Sequence, residues 1–402
     1  KILVVGTECV GKTSLVKNML GSRWIGSSFE TKEIDKHTGK LRKRYSVTDG
    51  IDVHRWIPRN SNVVLSVWDF GGQELYHTTH QFFLSPRTIY ALVFDGRIDL
   101  YDNKIVEWLN CIQSRSPGEV VVLVGTHFDK KSATSREKQI NEQLEQLLSD
   151  MARMTSQENQ FKIIRSPEGN IFWKTCTKPG REFGVASLIQ KLVEEGKRRA
   201  SEVHVPSSWL ALREKLTTMR DGLIVPIIDR KALKKIAAGV EVFDAHVDYA
   251  CKLLEDWSEI LMVPRRLHHS TDTDGELIII DPTWMIDVFE SVISLKYIHK
   301  ESSHHRTLPK FLSKAISKVI DDKEKSDSSE HSDTVTEYLL SQEELENRWR
   351  EKGYPEKFFP TLMELLQFHF ELIAEVEPRK FFAPCLMNDE KEPSSVAKLC
   401  SL

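Results

Sequence analysis

Gly6-Thr7-Glu8-Cys9-Val10-Gly11-Lys12-Thr13 follows the apolar run Ile2-Leu3-Val4-Val5 and has the spacing GxxxxGK followed by Ser or Thr. A strand, a loop of this composition and a helix make an anion site, because loop amides and the helix N-terminus all present N–H groups to one point. Gly6 and Gly11 permit the tight path. Lys12 is expected to reach the β- and γ-phosphates of a nucleotide and act in catalysis, with the Thr13 hydroxyl on Mg²⁺. Glu8, Cys9, Val10 and Ser14 are expected to complete the phosphate cradle. Asp69-Phe70-Gly71-Gly72-Gln73-Glu74 follows a second apolar run. An acid at a strand's carboxyl end can hold Mg²⁺ through water, Gly72 lets its amide approach a γ-phosphate, and Gln73 is placed to orient an attacking water.

A third motif, Thr126-His127-Phe128-Asp129, follows Val120–Gly125. The Asp129 carboxylate can accept from both N1–H and the exocyclic amine of guanine. Adenine offers neither donor in that arrangement and would leave a buried charge unpaired, so Asp129 argues for GTP over ATP. Together these motifs resemble those of Ras-like GTPases, and more closely the Roc domain of the Roco family, which commonly reads the base with Thr-His-x-Asp. Thr48-Asp49-Gly50-Ile51-Asp52-Val53 is similar to that family's switch I region. The resemblance implies that Thr48 joins Mg²⁺ and the γ-phosphate, and that Thr175 and Cys176 of Lys174-Thr175-Cys176-Thr177 make the last guanine contact, largely through backbone.

The elements that must position these residues are legible as runs. Ile2–Val5, Val63–Trp68, Ile89–Phe94 and Val120–Val124 read as buried strands; Lys12–Leu20, Gln139–Met151 and a segment from Leu188 read as helices. Continuous apolar strands separated by helices predict a mostly parallel sheet covered on both faces, an α/β P-loop GTPase fold over about residues 1–200. Beyond Ser201–Pro206 the pattern becomes mainly helical, with Trp209–Leu216, Arg230–Gly239, Val242–Trp257 and Thr283–Ser294 as helices and Gly275–Ile280 as a strand, a winged-helix-like arrangement. Asp321–Thr334 has no apolar residue and is expected to be a disordered insertion.

This second part extends the resemblance. Roco proteins carry a COR domain directly after Roc. Val205-Pro206-Ser207-Ser208-Trp209 looks like its opening, Leu277-Ile278-Ile279-Ile280-Asp281-Pro282-Thr283-Trp284-Met285 like its strand ending in Asp-Pro-x-Trp-Leu, and Phe358–Glu371 like a later helix. The implied COR region is 205–390, ending near Phe381-Phe382-Ala383-Pro384 with the first COR half. The resemblance implies a switch that couples GTP binding and slow hydrolysis to protein effectors or to a homodimer.

Departures from the small-GTPase pattern sharpen the expectation. Glu8 stands where glycine is frequent, and a carboxylate there would repel the γ-phosphate or crowd Gln73. That supports an alternative, a non-hydrolysing guanine-nucleotide scaffold; Gln73 itself argues for hydrolysis. Arg87 and Arg97 are candidates for a charge-stabilising arginine, with structural roles the simpler reading, and Trp209 and Trp284 read as packing residues. The doublets His268-His269 and His304-His305 lack Cys or carboxylate spacing for a metal. Asp69-Phe70-Gly71 imitates a kinase signature without the catalytic loop that must precede it.

Composition closes off other classes. The 402 residues are 40% apolar and 29% charged with a net charge of −3, values of a globular chain without the basic excess expected for nucleic acid. No apolar run reaches the ~18 residues that cross a bilayer. Six scattered cysteines without a CxxC pair favour a reducing, cytoplasmic setting. The chain begins inside a strand-like run without an initiator Met, as expected of a piece of a longer protein.

Overall fold

The computed structural model describes residues 1–21, 30–34, 41–45, 51–58, 61, 63–71, 81–178, 180–263, 276–293 and 339–383. Its contacts divide the chain into two compact units. One comprises Lys1–Asp221, Ile227–Arg265 and Thr271–Thr283; the other comprises Gly222–Pro226, Arg266–Ser270 and Trp284–Leu402.

The first unit is built on one sheet in the order β4-β5-β1-β6-β7-β8, with β9 also on β7. Its strands are β1 (Ile2–Val5), β4 (Ile51–Trp56), β5 (Leu65–Phe70), β6 (Ile89–Asp95), β7 (Val120–Thr126), β8 (Lys162–Ile163) and β9 (Phe172–Lys174). All pairings are parallel except β4 with β5. A separate ribbon pairs β2 (Glu30–Ile34) with β3 (Leu41–Tyr45). Every residue of β6 and β7 is buried, which is why these strands are unbroken apolar runs rather than alternating ones.

Alternate side chains feed the two faces. Ile2, Val4, Val67, Ala91, Val93, Val122 and Val124 pack with Leu15, Val16 and Met19 of α1 (Lys12–Met19), and with Leu188 and Leu192 of the long helix Val185–Ser201. Each fully buried Val, Leu or Ile contributes roughly 1.5–3 kcal/mol by leaving water, so this slab is what fixes the sheet. Helix α2 (Ile105–Arg115) was not anticipated, although Ile105, Trp108, Leu109 and Ile112 are its buried residues and recur at i, i+3, i+4 and i+7. Helix α3 (Glu137–Arg153) buries Ile140 and Leu144.

After the helix Val185–Ser201, here α4, the unit continues with α5 (Ser207–Arg220), β10 (Ile227–Asp229), α6 (Arg230–Ala238), α7 (Asp244–Asp256), β11 (Leu261–Val263) and β12 (Leu277–Ile279). The three strands form an antiparallel sheet, β10-β12-β11, and the helices share one core with it through Leu212, Leu216, Leu233, Val247, Leu254 and Ile278. Helices on a small antiparallel sheet are what the winged-helix-like expectation requires, with β10 and β11 added, but the helix expected at Thr283–Ser294 falls in the other unit. Trp209 packs partly buried against this core. Asp229 caps α6, its carboxylate accepting from the Ala232 amide at 2.7 Å, and the buried Arg230 is held by Asp248 and Glu276.

The second unit holds α8 (Trp284–Ile293), β13 (Leu339–Ser341), α9 (Gln342–Glu351), α10 (Phe359–Glu364), β14 (Ala374–Glu377) and β15 (Lys380–Phe382). A capping box between Ser341 and Glu344 starts α9, and the buried Trp349 indole donates to Ser291 Oγ at 3.0 Å. Trp284 is buried as a packing residue against Tyr354. The expected insertion at 321–334 lies outside the described residues. No helix of the described residues is long and apolar enough to cross a membrane.

Candidate functional site

The site sits at the carboxyl ends of the parallel strands, where β1, β5 and β7 deliver residues 6–13, 69 and 126–129. Gly6 leaves β1 with φ +142°, and a Cβ there would lie 2.2 Å from the Val93 carbonyl oxygen. Glycine is therefore obligatory on two counts, backbone conformation and space. Cys9 also has positive φ, at 60°, and with Glu8 it is exposed at the loop's rim.

Lys12 is buried, and its ammonium donates to the Thr7 carbonyl at 2.6 Å inside the loop. Burial pushes its pKa down to about 8, with the neighbouring Asp69 pulling it back. Asp69 is 1% exposed, one residue from the end of β5. Burial pushes its carboxyl up to about 6, opposed by the Thr13 hydroxyl and Lys12. Neither carboxylate oxygen has a hydrogen-bond partner of good geometry. A buried carboxylate left so is expensive unless a cation joins it, and the donor set of Thr13 hydroxyl and Asp69 oxygens is the hard-oxygen chemistry that suits Mg²⁺.

The Thr126 hydroxyl has a structural assignment that sequence reading missed. Its single O–H lies between the carbonyls of Val10, at 2.7 Å, and Phe94, at 3.1 Å, and the shorter contact to Val10 is the better hydrogen bond. It therefore ties the loop of residues 6–13 to the third motif, rather than pointing outward as a free ligand donor. His127 adopts φ 61° and its pKa is lowered, chiefly by burial. Asp129 has a buried Oδ2 without a hydrogen-bond partner, with the Lys130 ammonium 3.8 Å away. Cys176 and Thr175 are buried beside it: Thr175 donates twice to the Gly125 carbonyl, from its amide at 2.8 Å and its hydroxyl at 2.9 Å, and accepts from the Phe128 amide. Burial raises the Cys176 thiol.

Phe128 went unremarked in the sequence, yet it sets the loop's height. Its ring is buried over Gly96 and Gly125, where an added Cβ would meet it at 2.6 Å in both cases, and lies 5.4 Å from the Phe172 ring. Two glycines at the ends of neighbouring strands, Gly96 just past β6 and Gly125 in β7, opposite one aromatic were the available signal. Ser14 lies half-buried in α1. Thr48, Gly72 and Gln73 lie outside the described residues.

Neither candidate arginine points to phosphate chemistry. Arg97 is spent on Asp95, with Nε at 3.0 Å from Oδ1 and Nη2 at 2.6 Å from Oδ2. Arg87 precedes β6 at the amino ends, about 20 Å from the site along a seven-residue strand.

Comparison with known proteins agrees with this geometry. The family model "Ras of Complex, Roc, domain of DAPkinase" matches residues 1–129. Probable serine/threonine-protein kinase pats1 of Dictyostelium discoideum is 23% identical over 94% of this chain and 10% of its own length. Cyclic GMP-binding protein C of the same organism is 25% identical over 97% of this chain and 13% of its own. The chain thus spans about a tenth to an eighth of these relatives. Among solved structures, the Methanosarcina barkeri Roco2 RocCORdC bound to GDP matches with a TM-score of 0.59 and 21% identity, covering 96% of this chain and 95% of that one. Residues 1–129 thus match a Roc domain, of the Ras-like GTPase type, and the chain is similar to Roco-family proteins along nearly its whole length.

Proposed function

We propose that residues 1–200 bind Mg²⁺ and GTP or GDP, hydrolyse GTP slowly, and pass the nucleotide state to a COR region at 205–390. The observation that carries this reading is a pair of acids with buried carboxylate oxygens that lack a hydrogen-bond partner of good geometry: both oxygens of the buried Asp69 beside the phosphate loop, and Oδ2 of the half-buried Asp129 just past the end of β7. Each fits one part of the ligand. Asp129 would accept from N1–H and the amine of guanine, and Asp69 with Thr13 and Thr48 would hold the metal. Mg²⁺ neutralises charge between the β- and γ-phosphates when bound. Lys12 would exchange its Thr7 carbonyl for phosphate oxygens, the Gly72 amide would sense the γ-phosphate, and Gln73 would orient water. The GDP bound to the archaeal Roco2 structure supports guanine as the base. The geometry around Cys176 and Thr175 supports a backbone wall for it.

Loss of the γ-phosphate would release the segments bearing Thr48 and Gln73, an order–disorder switch of the kind GTPases use. The outputs proposed are protein effectors or a second copy of the chain, in a reducing cytoplasmic setting. The rival reading, a guanine-nucleotide scaffold that does not hydrolyse, draws on Glu8, whose charge acts on Lys12. Single-turnover GTP hydrolysis over a hundredfold range of protein concentration, with Gln73→Leu alongside, separates the two. A rate on the order of 10⁻⁴ s⁻¹ or above that falls in Gln73→Leu supports the enzyme; a slower rate, indifferent to the substitution, leaves the scaffold.

A further inference from the structure

Strand β4 carries an acid that the nucleotide site leaves unassigned. Antiparallel pairing sets Asp52 directly opposite Asp69, His54 opposite Val67 and Trp56 opposite Leu65. Residues directly opposite in such a ladder share a face of the sheet, and every second residue returns to it. Packing shows which face this is. Trp56, Leu65 and Val67 are buried in one core with Leu15, Val16 and Met19 of α1, the helix that begins at Lys12. Asp52 and Asp69, the next pair after His54 and Val67, therefore stand on the α1 side, at the end of the sheet where the phosphate loop lies. Asp52 is exposed there and Asp69 is buried.

Two carboxylates in this register work against the fold. Like charges directly opposite each other destabilise a ladder, and the Asp52 charge is felt at Asp69, where it disfavours the ionised form. Neither Asp69 oxygen has a hydrogen-bond partner of good geometry to offset that. Lys12 and His54 act on Asp69 in the favourable sense, but Lys12 is the cation that phosphates would claim. A divalent cation at Asp69 would turn the repulsion between the two acids into attraction for both. Mg²⁺ usually keeps several of its waters, so an acid opposite a ligand residue can act on it without ligating it directly.

We infer that Asp52 is a positioning residue for the metal of the nucleotide site, a second carboxylate that faces the hydration shell of the Mg²⁺ held by Asp69 and Thr13 and raises the affinity of the site for a divalent cation. The edge strand thereby contributes to metal binding through its register with β5. The inference rests on the nucleotide reading above and deepens its metal site.

The test follows GDP release from the full chain as free Mg²⁺ is varied with a chelator, in the parent and in Asp52→Asn, Asp52→Glu and Arg55→Gln. Arg55 lies in the same strand, opposite Ser66 and so on the other face, and serves as the control. The free Mg²⁺ concentration that half-maximally slows release should rise about fivefold in Asp52→Asn, because a unit charge near a divalent ion is lost. Asp52→Glu keeps the charge and should stay within about twofold of the parent, as should Arg55→Gln. With the metal chelated, the four proteins should release GDP at rates within about twofold of one another. An unshifted midpoint in Asp52→Asn overturns the inference. Faster release at every Mg²⁺ concentration, chelator included, also overturns it, because that marks a structural role for Asp52 and not a metal one. A shift of equal size in Asp52→Glu or Arg55→Gln does the same. If the parent binds no GDP, the nucleotide reading itself falls. If it binds GDP and Mg²⁺ has no effect on release, the metal site falls and Asp52 with it; if Mg²⁺ slows release alike in the parent and Asp52→Asn, only the role of Asp52 does.

Discussion

The two ends of one parallel sheet differ in how they treat buried polar groups. At the carboxyl ends, both oxygens of the buried Asp69 and Oδ2 of the half-buried Asp129 have no hydrogen-bond partner of good geometry. At the amino ends the charges are answered. Glu119 accepts from the Arg87 amide with one oxygen and from the Arg199 guanidinium with the other, both at 2.7 Å, and Arg199 also reaches Glu195 at 3.1 Å. Strands, helices and core are common to both ends, so the contrast lies in the loops. Leaving a buried acid without a partner costs a few kcal/mol, and a fold retains that cost where a ligand removes it. Satisfied networks of the same residue types mark joints, not sites.

Substitutions can break or sharpen this contrast, and the largest effect is expected at Asp129. Asp129→Ala should weaken GDP about 100-fold in equilibrium binding, roughly 3 kcal/mol, because two donors of the base lose their acceptor. A loss under threefold would detach Asp129 from base reading.

Asp69 should respond in the opposite direction for stability. Its carboxyl titrates near 6 when folded and 3.8 otherwise. Between those values the folded chain holds a proton that the unfolded chain has released, so stability falls as pH rises through that window. The full cost is present at pH 7. Asp69→Asn should therefore raise the stability of nucleotide-free, metal-free protein at pH 7 by up to about 3 kcal/mol, while removing the dependence of nucleotide affinity on Mg²⁺. Urea melts at pH 7 and pH 4 measure it; a gain equal at both pH values would mean that charge is not the cause.

Glu119→Ala, at the opposite end, should destabilise by roughly 1–2 kcal/mol, since the largely buried Arg199 loses one of its two carboxylate partners and keeps only Glu195. GDP affinity should stay within about twofold. A large drop in affinity would erase the distinction between joint and site. Arg97→Ala should have the smallest effect: its pair with Asp95 is partly exposed, so under about 1 kcal/mol of stability is at stake. Single-turnover hydrolysis should be unchanged, and a hundredfold fall would instead make Arg97 the charge-stabilising arginine.

What could be read beforehand follows from where the physics is local. The phosphate loop is legible because its demands fall on adjacent residues: Gly6 for its backbone, Lys12 for its charge, an apolar strand before and a helix after. The edge strand β4 was read as a switch segment alone, because only Ile51 and Trp56 of its six residues are buried, so it carries no apolar run. Helix α2 had its heptad-like spacing in plain view and was passed over in favour of the motif beside it.

By itself the sequence determined the anion loop and the change to helical structure after residue 200, and it singled out Asp129 as the candidate base reader, since each depends on residue type at short spacing. Only the tertiary structure decided the work of residues whose partners are distant in the chain. Thr126 reaches back 116 positions to the Val10 carbonyl, Phe128 rests on Gly96 and Gly125, and Lys1 reaches Ser258 across 257 positions. A hydroxyl, a ring and an ammonium carry no positional information of their own; the parallel sheet, by bringing strand ends together, assigned theirs.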